Sequence, residues 1–334
     1  MNDWHSAEEV LEYAVSRGLV PGDAPLEAEA LSGGVSGEVW KVSGPQGACV
    51  LKRALAKLKV EADWFSDVRR VEREQEAMAL LSPLLPVGRI PRVLDYDADG
   101  YAFAMSCAPE GSESWKDRLM QGQFDADIAG RVGLLLRTMH EASRGIGEAE
   151  KARMADLTFF RELRIEPFYA AVAIRYPKLS GRICALADEL TEETPDVRKC
   201  VVHGDFSPKN ILIDPDGAPV LLDFEVCHWG NPVYDLAFCI GHLVLKGLQL
   251  GREADAYALV EAFCAAYGEA PARLLPHLGL MLLARVDGKS PVSYIRNEQT
   301  KERIRSLAYP LIREELSGEP LAAIATMLQG GHKK

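Results

Sequence analysis

Residues 201 to 225 hold most of the side chains in this chain that could do chemistry. The segment reads Val201-Val202-His203-Gly204-Asp205-Phe206-Ser207-Pro208-Lys209-Asn210-Ile211-Leu212-Ile213-Asp214, then a turn at Pro215-Asp216-Gly217, then Val220-Leu221-Leu222-Asp223-Phe224-Glu225. Asp205 and Asn210 lie five apart around a tight loop followed at once by an apolar strand, and Asp223 ends a second apolar strand. If the two strands pair as a hairpin, Asn210 and Asp223 emerge at one edge beside Asp205. Three oxygen-bearing side chains at one edge suit a hard divalent cation. Mg²⁺ usually takes one or two protein carboxylates and completes its shell with phosphate oxygens.

The spacing His-x-Asp-x-x-x-x-Asn followed by Asp-Phe-x is similar to the kinase catalytic loop. In the form His203-Gly204-Asp205 to Asn210, with Asp223 and the downstream Gly230-Asn231-Pro232-Val233-Tyr234-Asp235-Leu236-Ala237, the chain resembles the aminoglycoside phosphotransferase and choline kinase superfamily. These are small-molecule kinases on the protein-kinase fold. The resemblance spans residues 28 to 245 and implies roles for matching residues elsewhere. Lys52 would steady the α/β-phosphates. A glutamate of the following helix would hold it, and the Arg73-Glu74 pair selects Glu74, with Glu72 and Glu76 as alternatives. Ser32 to Gly37 is similar to the family's short phosphate loop, with Gly34 and Ser36 nearest the phosphates. Main-chain N–H groups in such a turn bind anions without a charged side chain. The backbones of Ser106 and Ala108 fall on the hinge that would bond adenine.

By the same resemblance, Asp205 is the expected catalytic base and Asn210 and Asp223 the Mg²⁺ ligands, with Glu225 assisting at the metal. His203 is expected to orient the loop. Lys209 either reaches the γ-phosphate or is an exposed loop lysine. Asp235 is expected to brace the loop as a helix N-cap. The function implied is ATP- and Mg²⁺-dependent transfer of a γ-phosphoryl group to a hydroxyl of an aminoglycoside-, amino-alcohol- or sugar-like acceptor, with GTP as the alternative donor. A catalytically silent nucleotide-binding module is the competing reading. The intact set of Lys52, Asp205, Asn210 and Asp223 counts against it, because a binding module has no use for a base. A protein kinase is disfavoured, since no Ala-Pro-Glu segment follows Glu225 and no long activation loop fits before Gly230.

Each residue also has a plainer reading: Asp223 as a strand-end turn residue, Lys52 as an exposed strand lysine, Gly33-Gly34 as an ordinary turn. His140, His228 and His242 read as core or capping histidines. The acidic run Asp188-Glu189, Glu192-Glu193, Asp196 reads as a solvated helix face or as a rim attracting a cationic substrate. Segments 159 to 176 and 285 to 296 lie in the part that would hold the acceptor. Their Arg161, Arg164, Arg175, Arg285 and Arg296 favour a neutral or anionic hydroxyl compound over a polycation.

The elements that must position these groups follow from periodicity. Ser6 and Glu9 form a capping-box pair ahead of a helix that stops at Gly18. Residues 35 to 42 alternate as a strand, 43 to 47 turn, and 48 to 52 return. Phe65, Val68, Val71, Gln75, Met78 and Leu81 recur at helical spacing, and two further strands flank Asp97-Ala98-Asp99-Gly100. Beyond the connector 106 to 114 the pattern turns helical: a helix capped by Asp125, then helices near 178–193, 234–247, 253–267 and 298–315, interrupted by the β-rich island at 200 to 225. The expected architecture is α+β and two-lobed, protein-kinase-like. A β-rich nucleotide lobe with an extra N-terminal helix occupies 1–106, and a helical catalytic and substrate lobe occupies 107–334, with a cleft between them.

Composition sets the outer limits. In 334 residues, 38 basic and 49 acidic side chains leave a net charge of −11, with no basic block before His332-Lys333-Lys334. That disfavours a nucleic-acid partner. The most apolar stretch, Leu236 to Leu245, is half the roughly 20 residues of a membrane span, and the N-terminus has no basic-then-apolar leader pattern. Seven scattered cysteines without a Cys-x-x-Cys pair point to reduced thiols rather than a zinc cage or disulfide framework. Together these features point to a cytoplasmic protein without a nucleic-acid or membrane partner.

Overall fold

The structure is a computed structural model and describes residues 4, 6–22, 25–31, 37–57, 65–192, 197–316 and 319–329. Helix α1 (Ala7–Ser16) starts at Ser6, whose hydroxyl accepts from the Glu9 N–H at 3.3 Å. Then come β1 (Glu27–Ala30), β2 (Gly37–Gly44) and β3 (Gly47–Ala54), helix α2 (Arg70–Leu81), and β4 (Val93–Asp97) and β5 (Ala102–Ser106). The five strands form one antiparallel sheet in the order β1-β2-β3-β5-β4. Strand alternation decides which face each residue serves. Leu51, Ala102 and Ala104 join Val10 and Ala14 of α1 in a small core on one face. Phe103 faces the other way, packing with Val71, Ala77, Met78 and Leu81 of α2. Lys52, next to Leu51 and paired in register with Phe103, is thereby aimed at α2. α2 begins later than the apolar spacing predicted, because Phe65 is exposed and Val68 precedes the first helical turn.

The remainder is mostly helical. It comprises a short β6 (Glu113–Ser114), α3 (Trp115–Met120), α4 (Ala126–Ser143), α5 (Glu148–Met154) and α6 (Thr158–Phe160), which runs into a π-helical stretch over Arg161–Ala170 and then α7 (Ala171–Arg175) and α8 (Ser180–Thr191). After these come β7 (Cys200–Val202), β8 (Ile211–Ile213), β9 (Pro219–Leu221), β10 (His228–Gly230), and α9 (Val233–Leu250), α10 (Glu253–Tyr267), α11 (Leu274–Asp287), α12 (Glu298–Ile312) and α13 (Pro320–Gln329). Asp125 caps α4 as expected, accepting from Asp127 and Ile128 N–H. The expected hairpin forms, with Ile211 opposite Leu221. α3, α5, the segment 158–175, α11 and α13 are helices that periodicity did not single out. α9 is longer than its apolar stretch suggested. By length and composition it could cross a membrane, but it is 89% buried inside the fold, as a core helix is. Gly133 of α4 lets α10 approach: a Cβ there would lie 2.3 Å from the Phe263 carbonyl oxygen.

His203, His228, His242 and His277 are all buried in this helical part, and burial holds each imidazole below its ordinary value, His228 at about 4. An unfolded imidazole binds a proton near pH 6.5, whereas native His228 does so only near 4. The unfolded state therefore holds the extra protons between these values, and stability is lost as pH falls through that window. Thermal melts from pH 7 to 4 should show this fall. A His228→Gln variant should take up fewer protons on unfolding at pH 5.5, by close to one; an unchanged pH slope would contradict the assignment.

Candidate active site

The catalytic-loop candidate hangs from a buried carboxylate. β7 ends at Val202 and the chain turns at Gly204, whose φ is +77° and where a Cβ would meet the Val226 carbonyl oxygen at 2.8 Å. Only glycine suits both the conformation and the space. Asp235, fully buried, accepts from the main-chain N–H of His203 at 2.7 Å and of Gly204 at 2.9 Å. His140 Nε2 lies 3.1 Å from the same carboxylate and its Nδ1 lies 3.0 Å from the Tyr267 hydroxyl. Burial opposes ionisation of Asp235, but the His140 contact and the donated N–H groups outweigh it and lower its pKa. Asp235 is thus not an N-cap: α9 starts at Val233, whose N–H is taken by Asn231 Oδ1 at 3.0 Å. From inside the first turn its side chain reaches across to the loop.

His203 threads the loop to the second strand. Its Nε2 lies 3.0 Å from the Leu222 carbonyl, and its Nδ1 accepts the Asp205 N–H at 3.1 Å. Those partners require the neutral Nε2–H tautomer, in line with the lowered pKa that burial gives it. Asn210, on the 3₁₀ turn Pro208–Asn210, donates from Nδ2 to Asp205 Oδ2 at 2.6 Å and to the Asp205 carbonyl at 3.0 Å. Its amide oxygen is left to face elsewhere. Arg164 of the π-helical stretch approaches Asp205 Oδ2 at 3.0 Å and donates from Nε to the Gly204 carbonyl at 2.7 Å. π-helical turns are rare and reposition side chains, often at functional sites.

Across from this loop Lys52 Nζ lies 2.8 and 2.6 Å from the two carboxylate oxygens of Glu74 and 2.5 Å from Asp223 Oδ1. All three are buried or nearly so. Desolvation acts against the ammonium, but the charges of Asp223, Glu74 and Glu225 prevail and raise the Lys52 pKa. Burial likewise opposes the Asp223 carboxylate, yet Lys52 and Lys209 hold it well below the usual carboxylate range. Glu74, where burial and two neighbouring carboxylates outweigh Lys52, is pushed up to about 7. Asp223 has φ +69°, a left-handed conformation that costs a non-glycine residue strain and clusters at functional positions.

Lys52, Glu74, His203, Asp205, Asn210 and Asp223 are brought together. Glu225 is turned to Arg70 of α2, Nε to Oε2 at 3.1 Å, where it bridges α2 to the hairpin. Lys209 is exposed but lies within electrostatic reach of Asp223. The Ser106 N–H is engaged by the Arg92 carbonyl at 2.9 Å, which leaves Ser106 its carbonyl for a hinge contact. Gly34 and Ser36 lie outside the described residues; the adjoining Gly37 packs so close that a Cβ would meet the Arg53 carbonyl oxygen at 2.6 Å. Asp235 braces the loop as expected, though not as an N-cap; the contacts of Arg164 with Asp205 and of Arg70 with Glu225 are not foreshadowed in the sequence. The one local signal for Arg164 is a cation among Phe159, Phe160, Leu163 and Phe168. Glu189, read as part of a solvated face, instead meets Arg273 at 3.0 Å and His277 at 3.2 Å.

The donor set fits a metal-bound nucleotide better than a bare metal. Lys52 engages one oxygen of Asp223 and leaves the other, and Asn210 keeps its amide oxygen. Among the described residues no cluster of three or more His, Cys, Asp or Glu converges on one point. One carboxylate and one amide oxygen are what Mg²⁺ needs from protein when phosphates complete its shell.

The comparisons agree with this geometry. No curated protein matched the chain. Among solved structures, spectinomycin phosphotransferase, solved with ADP and spectinomycin, aligns at TM-score 0.55 and 14% identity over 98% of this chain and 99% of its own. The macrolide 2′-phosphotransferase of Brachybacterium faecium aligns at TM-score 0.53 and 18% identity over 98% and 100%. The aminoglycoside 2′-phosphotransferase-IIIa, solved with GDP, aligns at 0.53 and 15% over 98% and 100%. At these identities the likeness establishes the two-lobed protein-kinase-like fold. The model of the phosphotransferase enzyme family matches residues 27–277, most of the chain. The protein therefore belongs to the phosphotransferase enzyme family.

Proposed function

We propose that this protein transfers the γ-phosphoryl group of ATP to a hydroxyl of a small molecule, with Asp205 as catalytic base. The observation that carries the reading is the placement of Asp205. It is fixed by Asn210 and Arg164 and lies on the loop facing the Lys52–Glu74–Asp223 cluster. Lys52 steadies the α/β-phosphates while Glu74 holds its ammonium in place. Mg²⁺, when bound between Asn210 and Asp223, supplies the charge neutralisation that phosphoryl transfer requires.

Asp205 accepts a hydrogen bond from the acceptor hydroxyl and aims its oxygen at the γ-phosphorus. A new P–O bond forms to that oxygen, the bond to the β–γ bridging oxygen breaks, ADP leaves, and the proton passes to Asp205. The transition state is loose, so positioning contributes more than proton abstraction. His203 and Asp235 position the base through the loop backbone, and Lys209 meets the γ-phosphate from the solvent side. Glu225 supports the site through Arg70. The Ser106 carbonyl and the Ala108 backbone would hold adenine, and the family resemblance assigns Gly34 and Ser36 to the phosphates.

An Asp205→Asn variant should keep its affinity for ATP within a fewfold while ADP release with any accepted hydroxyl compound drops by roughly 10²- to 10⁴-fold. Equal nucleotide binding with no turnover in either form, across aminoglycosides, amino alcohols and sugars, would instead make this a nucleotide-binding module. Lys52→Met removes the ammonium between Glu74 and Asp223. It should weaken ATP binding tenfold or more by titration calorimetry and lower the melting temperature, since two buried carboxylates are left facing each other. Unchanged ATP affinity would remove Lys52 from the nucleotide site.

A further inference from the structure

The helical lobe contains a second concentration of charge that the phosphate machinery does not use. Lys246 of α9 is 1% exposed, and among the described residues no carboxylate lies within ion-pair distance of it. Its Nζ sits 5.2 Å from the centre of the Tyr294 ring. Arg285 of α11 bonds the Ser290 carbonyl, and its guanidinium lies 5.3 Å from the Phe168 ring centre. Arg164 lies 5.9 Å from the centre of that same ring while contacting Asp205. Phe168 stacks on Phe238 at 5.8 Å, and Phe238 meets His242, one helical turn before Lys246, at 4.9 Å. Phe168, Phe238 and His242 thus form a row of rings, with Arg164 and Arg285 at its Phe168 end and Lys246 one helical turn beyond His242.

The groups acting most strongly on buried His242 are all cations: Lys246, Arg285, Lys209 and Arg164. Arg164 is answered by Asp205, with Asp223 and Glu225 further off, whereas Arg285 feels Asp205 only through space and Lys246 feels Asp117 without an ion pair. Tyr234 Oη, Tyr294 Oη and Arg285 Nε are buried here with no hydrogen-bond partner among the described residues. A buried cation without a counter-charge is costly, and burial lowers the Lys246 ammonium to about 7, so an anion beside it would restore the charge. In a chain with a net charge of −11, such a gathering is not a by-product of composition. Lys246 on α9 and Arg285 on α11 have no contact with the Lys52–Glu74–Asp223 cluster, so these two cations are left over when Lys209 and Lys52 serve the phosphates of ATP.

We infer that the acceptor is an anionic hydroxyl compound, carrying a carboxylate or phosphate that docks against Lys246, Arg285 and Tyr294 while its hydroxyl meets Asp205. This rests on the kinase reading and narrows its substrate class. A polycationic aminoglycoside would be repelled, and the Tyr234 and Tyr294 hydroxyls supply donors for the acceptor's oxygens.

The test compares matched acceptors by ADP release: a sugar acid, a sugar phosphate, the neutral parent sugar and an aminoglycoside. The sugar acid or the sugar phosphate should exceed the neutral parent by about tenfold or more in kcat/KM, and the better of the two identifies the anion. Lys246→Met and Arg285→Met should each raise the KM for that acceptor by roughly 10- to 100-fold while moving the KM for ATP less than about twofold. Preference for the neutral or cationic acceptor, or an unchanged acceptor KM in both variants, overturns the inference.

A second readout needs no turnover. Inorganic phosphate, without nucleotide, should raise the melting temperature of the wild type and not of Lys246→Met. The variant itself should melt no lower than wild type, because a buried amine without a partner carboxylate has been replaced by an apolar side chain. If phosphate stabilises in this Lys246-dependent way but no acceptor releases ADP, the anion site stands and the kinase reading fails. If a neutral acceptor is phosphorylated and phosphate leaves the melt unchanged, the reverse holds.

Discussion

A single ammonium between two carboxylates ties the molecule together. Lys52 comes from the N-terminal sheet, Glu74 from α2 and Asp223 from the hairpin of the helical part, so three separately folded pieces meet at one nitrogen. At this depth the charges are worth much more to one another than in water, and none can be left unpaired without a large desolvation cost. The geometry of every other site group is conditional on this contact, because it sets how the sheet and α2 sit over the catalytic loop. The Arg70–Glu225 pair repeats the device a short distance away, joining α2 to the residue two beyond Asp223. Its presence explains why Glu225 faces α2 and not the metal-ligand candidates.

The loop itself is held by polar groups that take no part in the proposed chemistry. Asp235 satisfies two main-chain N–H groups that the turn at Gly204 would otherwise leave unbonded, and His140 and Tyr267 extend that network into α4 and α10. Buried donors without partners are expensive, so the network fixes the loop in one shape. His203 adds the cross-link to Leu222 and so ties Asp205 to the strand that ends at Asp223. Rigid support of this kind is what positioning catalysis demands, since small displacements of the reacting groups cost large factors in rate.

The two kinds of buried charge in the protein differ in a telling way. Around Lys52 each buried charge meets an opposite charge of the chain. Lys246 and Arg285, on the side of Asp205 where we place the acceptor, meet no carboxylate within ion-pair distance among the described residues. A fold shared with antibiotic phosphotransferases at 14 to 18% identity leaves that side free to vary, because fold is specified by burial and pairing while substrate choice depends on a few pocket side chains.

The local patterns in the chain carried the hairpin, the Asp205–Asn210 loop, the α4 cap at Asp125 and the strand alternation that turns Lys52 toward α2. Each depends on residues within a turn or two of one another, so periodicity and spacing encode it directly. The helix starting at Arg70 instead of near Phe65, and the helices at 158–175 and 274–287, were less legible because burial from several sides blurs an amphipathic stripe. Packing alone decided the partners: Arg164 on Asp205, Arg70 on Glu225 at a separation of 155 residues, His140 and Tyr267 behind Asp235, and the two guanidinium groups gathered at Phe168. A charged side chain on an apolar helix looks the same in sequence whichever group it will meet, and that choice exists only once distant elements have closed around it.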